Sequence, residues 1–452
     1  MPELTPVADT FKNPGIGLTP VQVGNARPLG VAVRPPNSTV AVIGDSQGQH
    51  NASVTGGFRR TLAYGAAVWM GILSRQRVSF DPSDCWAVAA QDTAQILNGN
   101  PGVISSLPSV IASYGSNVPG IFVVDAGTND IPHGLTLAQS QANVLNIISL
   151  IRATGAVVLW ILPTPRDITA AGFTMTTAQG SQFVRLVDWM KTVHSPTNGI
   201  WMVDSWEGLA DPASTNMAML STVQYDGLHR NQYGQYLVGL ALARIVGLGR
   251  ADGILPYTDV LRPARSPFNA YDPINYPGGF LNLNPTMQGS GGGVSTSWTG
   301  NDSSTGLVTT KSKTTLLTGE TAQQLAIAGT PANQNFGYFY QNPLTASNLA
   351  VGDVVEGFCD FEMDAGLTGL NCLGLILQDN TSFLWSMTLD QSSDIIDQPM
   401  PPVAWQGVLR LPRFTLTSTG VRFGLGWKAR SSLPAVSATC RMGVTFLRKV
   451  VS

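Results

Sequence analysis

From Thr39 to about Gly249, short apolar runs alternate with longer stretches of mixed polarity. The runs are TVAVIGDS, CWAVAAQD, VPGIFVVDAGTND, GAVVLWILPTP and GIWMVDSW, each rich in Val, Ile, Ala or Trp. Their apolar positions are consecutive rather than alternating, as in strands of a parallel sheet covered on both faces. Helices are expected between them, over 57–73, 103–113, 137–153 and 178–194. A last helix follows in NQYGQYLVGLALARIVG, where Tyr233, Leu237, Leu240, Ala241 and Ile245 share a face. Strand and helix in alternation predict an α/β fold, a doubly wound five-stranded parallel sheet, with ligands at the carboxyl ends of the strands.

Near residue 250 the pattern changes. LPYTDVLRPARSPFNAYDPINYPGG is Pro-rich and reads as a linker. Beyond MQGSGGGVSTSW come short alternating runs, among them TGLVTT, FGYFYQ, VVEGFCDFEM, LGLILQD and VRFGLGW. Short strands separated by Gly, Asn and Asp predict an all-β sandwich, jelly-roll-like in its opening. The expected organisation is an arm or attachment segment over 1–37, an α/β domain over 38–250, a linker over 251–278 and a sandwich over 279–452.

Composition narrows the class. Of 452 residues, 12% are charged and the formal net charge is −2, against a usual charged share of about 25%. With no basic stripe, nucleic acid is not an expected partner. No apolar stretch reaches the length of a membrane span, so no membrane partner is expected either. The N-terminal MPELTPVADTFKNPG lacks the basic start and apolar stretch of a secretory signal. The neutral polar composition suits an extracellular or virion-borne chain, or one that hides surface by assembling with itself. Cys85, Cys359, Cys372 and Cys440 have no zinc-site spacing. The last three leave room for a disulfide, but buried free thiols are the favoured reading. The histidines are scattered, so neither metal nor cofactor is expected.

Chemistry concentrates where the expected α/β strands end. The first ends in Gly44-Asp45-Ser46, the third in Gly127-Thr128-Asn129-Asp130, and Asp226 and His229 stand before the last helix. A serine hydroxyl needs a base to become a nucleophile. A histidine can be that base when a carboxylate holds its other nitrogen. An Asn amide suits a developing oxyanion. Singly, each residue has a plainer role: Ser46 as a turn residue, Asn129 in an Asx turn, Asp226 as a helix cap and His229 on the surface. Together the blocks GDS (44–46), GTND (127–130) and DGLH (226–229), in that order, resemble the SGNH hydrolases, or GDSL esterases and lipases, over residues 39 to 249.

The resemblance implies a flavodoxin-like SGNH fold. It makes Ser46 the nucleophile, His229 the base and Asp226 its orienting carboxylate, with Asn129 and the Ser46 N–H as oxyanion donors. Where that family places a glycine donor after the second strand, this chain reads AVAAQDTAQ; Gln91 lines up with it, and Ala90 is the alternative. Gln47, His50 and His133 are candidate substrate contacts, and Gln47 implies a polar rim. Asp45 is structural, and His194 has no assigned role.

The implied activity is ester hydrolysis through an acyl-enzyme, with O-acetyl groups on a bacterial surface polysaccharide as the favoured substrate. Alternatives are a lipid, thio- or aryl-ester hydrolase, or a non-catalytic receptor-binding virion protein. The start of the C-terminal region, FLNLNPTMQGSGGGVSTSW, resembles carbohydrate-binding jelly-roll modules. Trp298, Trp385, Trp405, Trp427, Tyr338 and Tyr340 are candidate stacking platforms there, although core packing is the commoner use of such residues. The whole resembles phage tail spike and tail fibre esterases, which implies a homo-oligomer, such as a trimer.

Overall fold

The computed structural model describes residues 32–53, 61–100, 105–248, 253–257, 259–261, 281, 284–289, 291–302, 306–331, 335–344, 349–379, 384–387, 389, 400–429 and 433–450. Most of the expected arm (1–37) and most of the expected linker (251–278) lie outside these residues.

The first half holds five parallel strands: β1 (Thr39–Gly44), β2 (Ser79–Cys85), β3 (Ile121–Asp125), β4 (Val157–Ile161) and β5 (Ile200–Val203). Their order across the sheet is β2-β1-β3-β4-β5. This is the doubly wound α/β arrangement expected from the pattern. The helices are α1 (Ser46–Gln49), α2 (Ala66–Leu73), α3 (Thr93–Asn98), α4 (Leu107–Ser113), α5 (Leu137–Ala153), α6 (Thr177–Thr192), α7 (Trp206–Leu209) and α8 (Gln232–Val246). Successive strand side chains point to opposite faces, so β1, β3, β4 and β5 each feed two cores. Val40, Val42, Ile121, Val123, Val157 and Leu159 pack with α2 and α8. Ala41, Ile43, Phe122, Val124, Val158 and Trp160 pack with α5 and α6. Both long helices on that second face start at reciprocal caps, Thr136 with Gln139 and Thr176 with Gln179.

One strand differs from expectation. The apolar run CWAVAAQD is not β2; the polar SFDPSDC before it is. β2 is an edge strand paired only with β1, through a register shift between Val40 and Val42. Pro82, which cannot donate to a ladder, is tolerated on an edge. The apolar run continues along β1 irregularly, by Trp86 N–H to Val42 O (2.8 Å) and Val88 N–H to Gly44 O (3.0 Å). The expected helix over 57–73 starts, in the described part, only at Ala66, after Gly65; residues 57–60 lie outside the described residues.

The second half is a sandwich of two antiparallel sheets. Its strands are β6 (Thr299–Asp302), β7 (Leu307–Thr315), β8 (Thr321–Gly329), β9 (Asn335–Leu344), β10 (Val354–Met363), β11 (Leu370–Asp379), β12 (Leu384–Met387), β13 (Trp405–Thr415), β14 (Val421–Ala429) and β15 (Val436–Lys449). The sheets run β13-β10-β15-β8-β7 and β12-β11-β14-β9-β6. Trp298, Trp405 and Trp427 are buried: each ring fills core volume, the commoner use of such residues, and none of the three is a sugar platform. Trp298 stacks on Phe339 at 5.4 Å. The side chain of Trp385 lies outside the described ones. Tyr338 and Tyr340 are half-buried, with the Arg422 guanidinium over Tyr340. All four cysteines are free, and Cys359, Cys372 and Cys440 are buried.

The two halves share a core. Every residue of α2 is buried, because α8 covers one side of it and β13 the other. The Trp69 ring meets Tyr236 at 5.2 Å and Trp405 at 5.1 Å, both edge-on. Gly407 passes so close that a Cβ there would lie 2.3 Å from Ile72 O. Polar ties surround this contact: Arg75 with Asp360 (3.0 Å), Gln76 Nε2 to Val408 O (2.7 Å), Arg410 to Ser79 Oγ (3.0 Å) and Gln232 Nε2 to Asn371 O (2.6 Å).

Candidate active site

β1 stops where it does because of Gly44. Its φ is +155°, and a Cβ at this position would meet Asp125 O at 2.1 Å. The chain then turns, with Asp45 N–H bonded to Asp125 O at 3.0 Å. Asp45 caps α1 by accepting from Gln47 N–H at 2.9 Å. This turn sets Ser46 at the first position of α1, on the carboxyl edge of the sheet.

The loop before α8 arrives at the same edge. Asp226 Oδ1 accepts from Leu228 N–H (3.0 Å) and His229 N–H (2.7 Å), and Oδ2 lies 2.6 Å from His229 Nδ1. His229 Nε2 lies 2.8 Å from Ser46 Oγ. Partial burial pushes the Asp226 carboxyl up, but the hydrogen bonds from His229 and Leu228 outweigh it, so it stays below the ordinary carboxylate value. An ionised Asp226 only accepts, so Nδ1 carries the proton and Nε2 is left to accept from the serine hydroxyl. The three side chains, drawn from two separate sequence blocks, therefore form one continuous relay.

Asn129 follows β3 and faces the turn after β2, donating from Nδ2 to Gln91 O at 2.9 Å. A primary amide has two N–H donors, so one remains for another acceptor. The Gln91 N–H, expected as an oxyanion donor, instead turns back to Val88 O at 3.3 Å. The left-handed backbone that favours glycine falls on Ala90, at φ 62°. Ala90, the alternative from the sequence, therefore occupies the glycine-like position. The Gln91 side chain is buried, and its Oε1 has no partner among the described residues.

The other candidates separate. Gln47 is only 1% exposed and does not form a polar rim. Its position inside the α1 turn points the side chain inward, between Leu228 O (2.7 Å) and the Arg230 N–H (3.2 Å). His50 lies behind the relay, 6.1 Å from His229 ring to ring, stacked on Tyr64 and bonded to Gln235 Nε2 at 3.1 Å. Burial, reinforced by His229 and Arg230, pushes its imidazole down to about 3. His133 is more open; its Nδ1 lies 3.1 Å from Asp92 Oδ2, and its N–H donates to Asn129 O. His194 accepts from Met202 N–H through Nδ1 at 3.1 Å.

Two groups at the site are not apparent from the sequence motifs. Aromatic rings surround His229: Tyr225 lies parallel at 5.5 Å and Phe173 edge-on at 5.5 Å, with Tyr64 beyond His50. Beneath the turn, Arg230 pairs with Asp125, both buried. Burial, then the Asp125 charge, raises the neighbouring Asp45 to about 8. The signal for the pair was an Arg directly after the histidine and an Asp ending β3. Nothing in the spacing announced the rings. Among the described residues, no group of three or more His, Cys, Asp or Glu is placed to hold a metal ion, and no helix is long and apolar enough to cross a membrane.

No family model and no curated relative matches the chain. Solved structures do. One, described as a lipolytic protein of the G-D-S-L family from Desulfitobacterium hafniense DCB-2, is 15% identical, with 46% of this chain and 99% of that one covered and a TM-score of 0.34. An acetyl xylan esterase, AlAXEase, is 14% identical over 45% of this chain and 97% of its own, with a TM-score of 0.32. The psychrotrophic esterase EstA from Pseudoalteromonas sp. is 13% identical over 46% and 94%, with a TM-score of 0.31. Each likeness covers slightly less than half of this chain and nearly all of the other.

Proposed function

We propose that this chain is a serine ester hydrolase of the SGNH type that works through an acyl-enzyme, and that its substrate is an O-acetylated glycan. One observation carries the catalytic part: Ser46 Oγ, His229 and Asp226 are linked by contacts of 2.8 and 2.6 Å.

Ser46 Oγ attacks the ester carbonyl while His229 Nε2 takes its proton, and Asp226 stabilises the imidazolium. The tetrahedral oxyanion receives donors from the Ser46 N–H at the start of α1, the second Asn129 amide proton and the backbone of the Ala90 turn. His229 then protonates the departing alkoxide. Water, deprotonated by His229, attacks the acyl carbonyl and frees Ser46 and acetate.

The glycan part is supported by the half-buried Tyr64, Phe173 and Tyr225 near the base, whose faces suit the C–H side of a sugar ring. The polar His133–Asp92 pair beside Asn129 is a second support. The same rings suit an aryl ester, which is the second reading. A homo-oligomer such as a trimer and an extracellular or tail-borne setting belong to this proposal.

The test is hydrolysis of p-nitrophenyl acetate, butyrate and octanoate, and acetate release from acetylated polysaccharide, by the native chain and Ser46→Ala. The expected result is Ser46-dependent turnover, lowered at least about 10⁴-fold in the variant, falling steeply beyond acetyl and faster on the polysaccharide. Turnover that rises toward octanoate sinks the glycan part. Equal silence of both proteins on every substrate favours the receptor-binding alternative.

A further inference from the structure

Histidine loops need a fixed distance from their serine. Here Asp226 orients the imidazole from within its own loop, and so does not set the distance of that loop from α1. The Tyr225 N–H to His229 O bond, at 3.2 Å, is likewise internal to the loop. Besides the Ser46–His229 contact itself, the side-chain ties between loop and α1 among the described residues run through the residue next to Ser46. Gln47 Nε2 donates to Leu228 O at 2.7 Å, and Gln47 Oε1 accepts from Arg230 N–H at 3.2 Å and Arg230 Nε–H at 3.1 Å. The two backbone partners are the residues immediately before and after His229.

We propose that Gln47 is a positioning residue whose side-chain amide clamps the backbone on both sides of His229 and so sets the distance between base and nucleophile. The clamp is itself anchored. Asp45 Oδ1 holds the Gln47 N–H at 2.9 Å, and Gln235 Nε2 donates to Gln47 O at 3.2 Å. Arg230 is fixed in turn by its buried pairing with Asp125 at the end of β3. An apolar side chain at position 47 fills the same volume but leaves Leu228 O and the Arg230 N–H without this partner. Only a group with both a donor and an acceptor spans the two, which an amide provides. Misplacement of reacting groups by about 1 Å costs rate on the order of 100-fold, so a small drift of the loop is enough to matter.

The kinetic arm of the test rests on the esterase reading. Gln47→Met keeps length and removes both polar functions. Gln232→Met is the comparison, because Gln232 is equally buried and donates to Asn371 O at 2.6 Å, at the contact between the halves. Both variants are expected to lower the Tm. Only Gln47→Met is expected to lower kcat on p-nitrophenyl acetate, by about 10- to 100-fold, with KM nearly unchanged. The second readout needs no turnover: the proton resonance of His229 Nδ1–H, facing Asp226, shifts or broadens in Gln47→Met and stays in place in Gln232→Met. Gln47→Asn keeps the amide one methylene shorter; it shows the same split and serves where Gln47→Met does not fold. An unchanged kcat with a lowered Tm, a raised KM alone, or an unmoved His229 resonance each overturns the proposal. A native chain silent on every ester counts against the esterase reading, and the resonance then decides the clamp by itself.

Discussion

His50 illustrates how much a single environment can do. Its imidazole is pushed from an ordinary 6.5 to about 3, first by burial and then by the neighbouring His229 and Arg230. Between those two pH values the unfolded chain binds a proton there that the native chain does not. The stability that neutral His50 contributes is therefore complete above about pH 6.5 and is lost progressively as pH falls toward 3. Replacing His50 by Gln, which can still accept from Gln235, should flatten the fall in Tm between pH 7 and pH 4.5; an equally steep fall in the variant assigns the acid sensitivity elsewhere. Ser46 and Asn129 are legible because they follow the ends of apolar runs, which mark strand ends, and Asp226 and His229 because they stand three apart just before the last helix. Gln47 was misread because the sequence does not say which way a residue on a four-residue helix points. Tyr64, Phe173 and Tyr225 were invisible because an aromatic in a loop has the same spelling whether it lines a site or packs a core.

Among the elements, α2 is the most dependent on its surroundings. AAVWMGIL is apolar on every side and carries no period, because α8 and β13 cover it from opposite directions. That is also why its start was placed too early: a helix without a polar face offers no periodicity to locate it. Trp69→Ala empties the centre of this layer, where the ring is fully buried, and should cost about 3–5 kcal/mol, read as a lowered midpoint in denaturant. A loss below 1 kcal/mol would mean that α2 and β13 close the gap. The helices α5 and α6 agree within about two residues with the spans 137–153 and 178–194 expected from the pattern, and in the structure both begin at reciprocal Thr-x-x-Gln caps. β2 escaped notice for the opposite reason. As an edge strand with Pro82 it is polar, and the apolar stretch beside it lies against β1 without forming the regular ladder.

At the scale of the whole molecule, the sandwich closes a hydrophobic face of the α/β half, with β13 against α2. A chain truncated after residue 250 leaves Trp69 and its neighbours bare and should aggregate or bind a hydrophobic dye, whereas the intact chain should unfold in one calorimetric transition. Two well-separated transitions would show that the shared core does not couple the halves. This closeness was not legible, since a Pro-rich stretch between two patterns reads as a spacer whether or not the flanking domains touch. The sandwich also seals in its sulfur. Cys359 and Cys440 are held above the ordinary thiol range, mainly by burial, and Cys440 is pushed up to about 12. Cys359 accepts from Thr445 Oγ1 at 3.0 Å, and Cys372 donates to Leu389 O at 2.9 Å. Thiolate is the form that reacts with oxidants and alkylating agents, so these sulfurs are chemically silent while the sandwich is closed. The same fold thus stands in a reducing and an oxidising medium alike, and the rate at which a thiol reagent labels these cysteines becomes a clock for how often the sandwich opens.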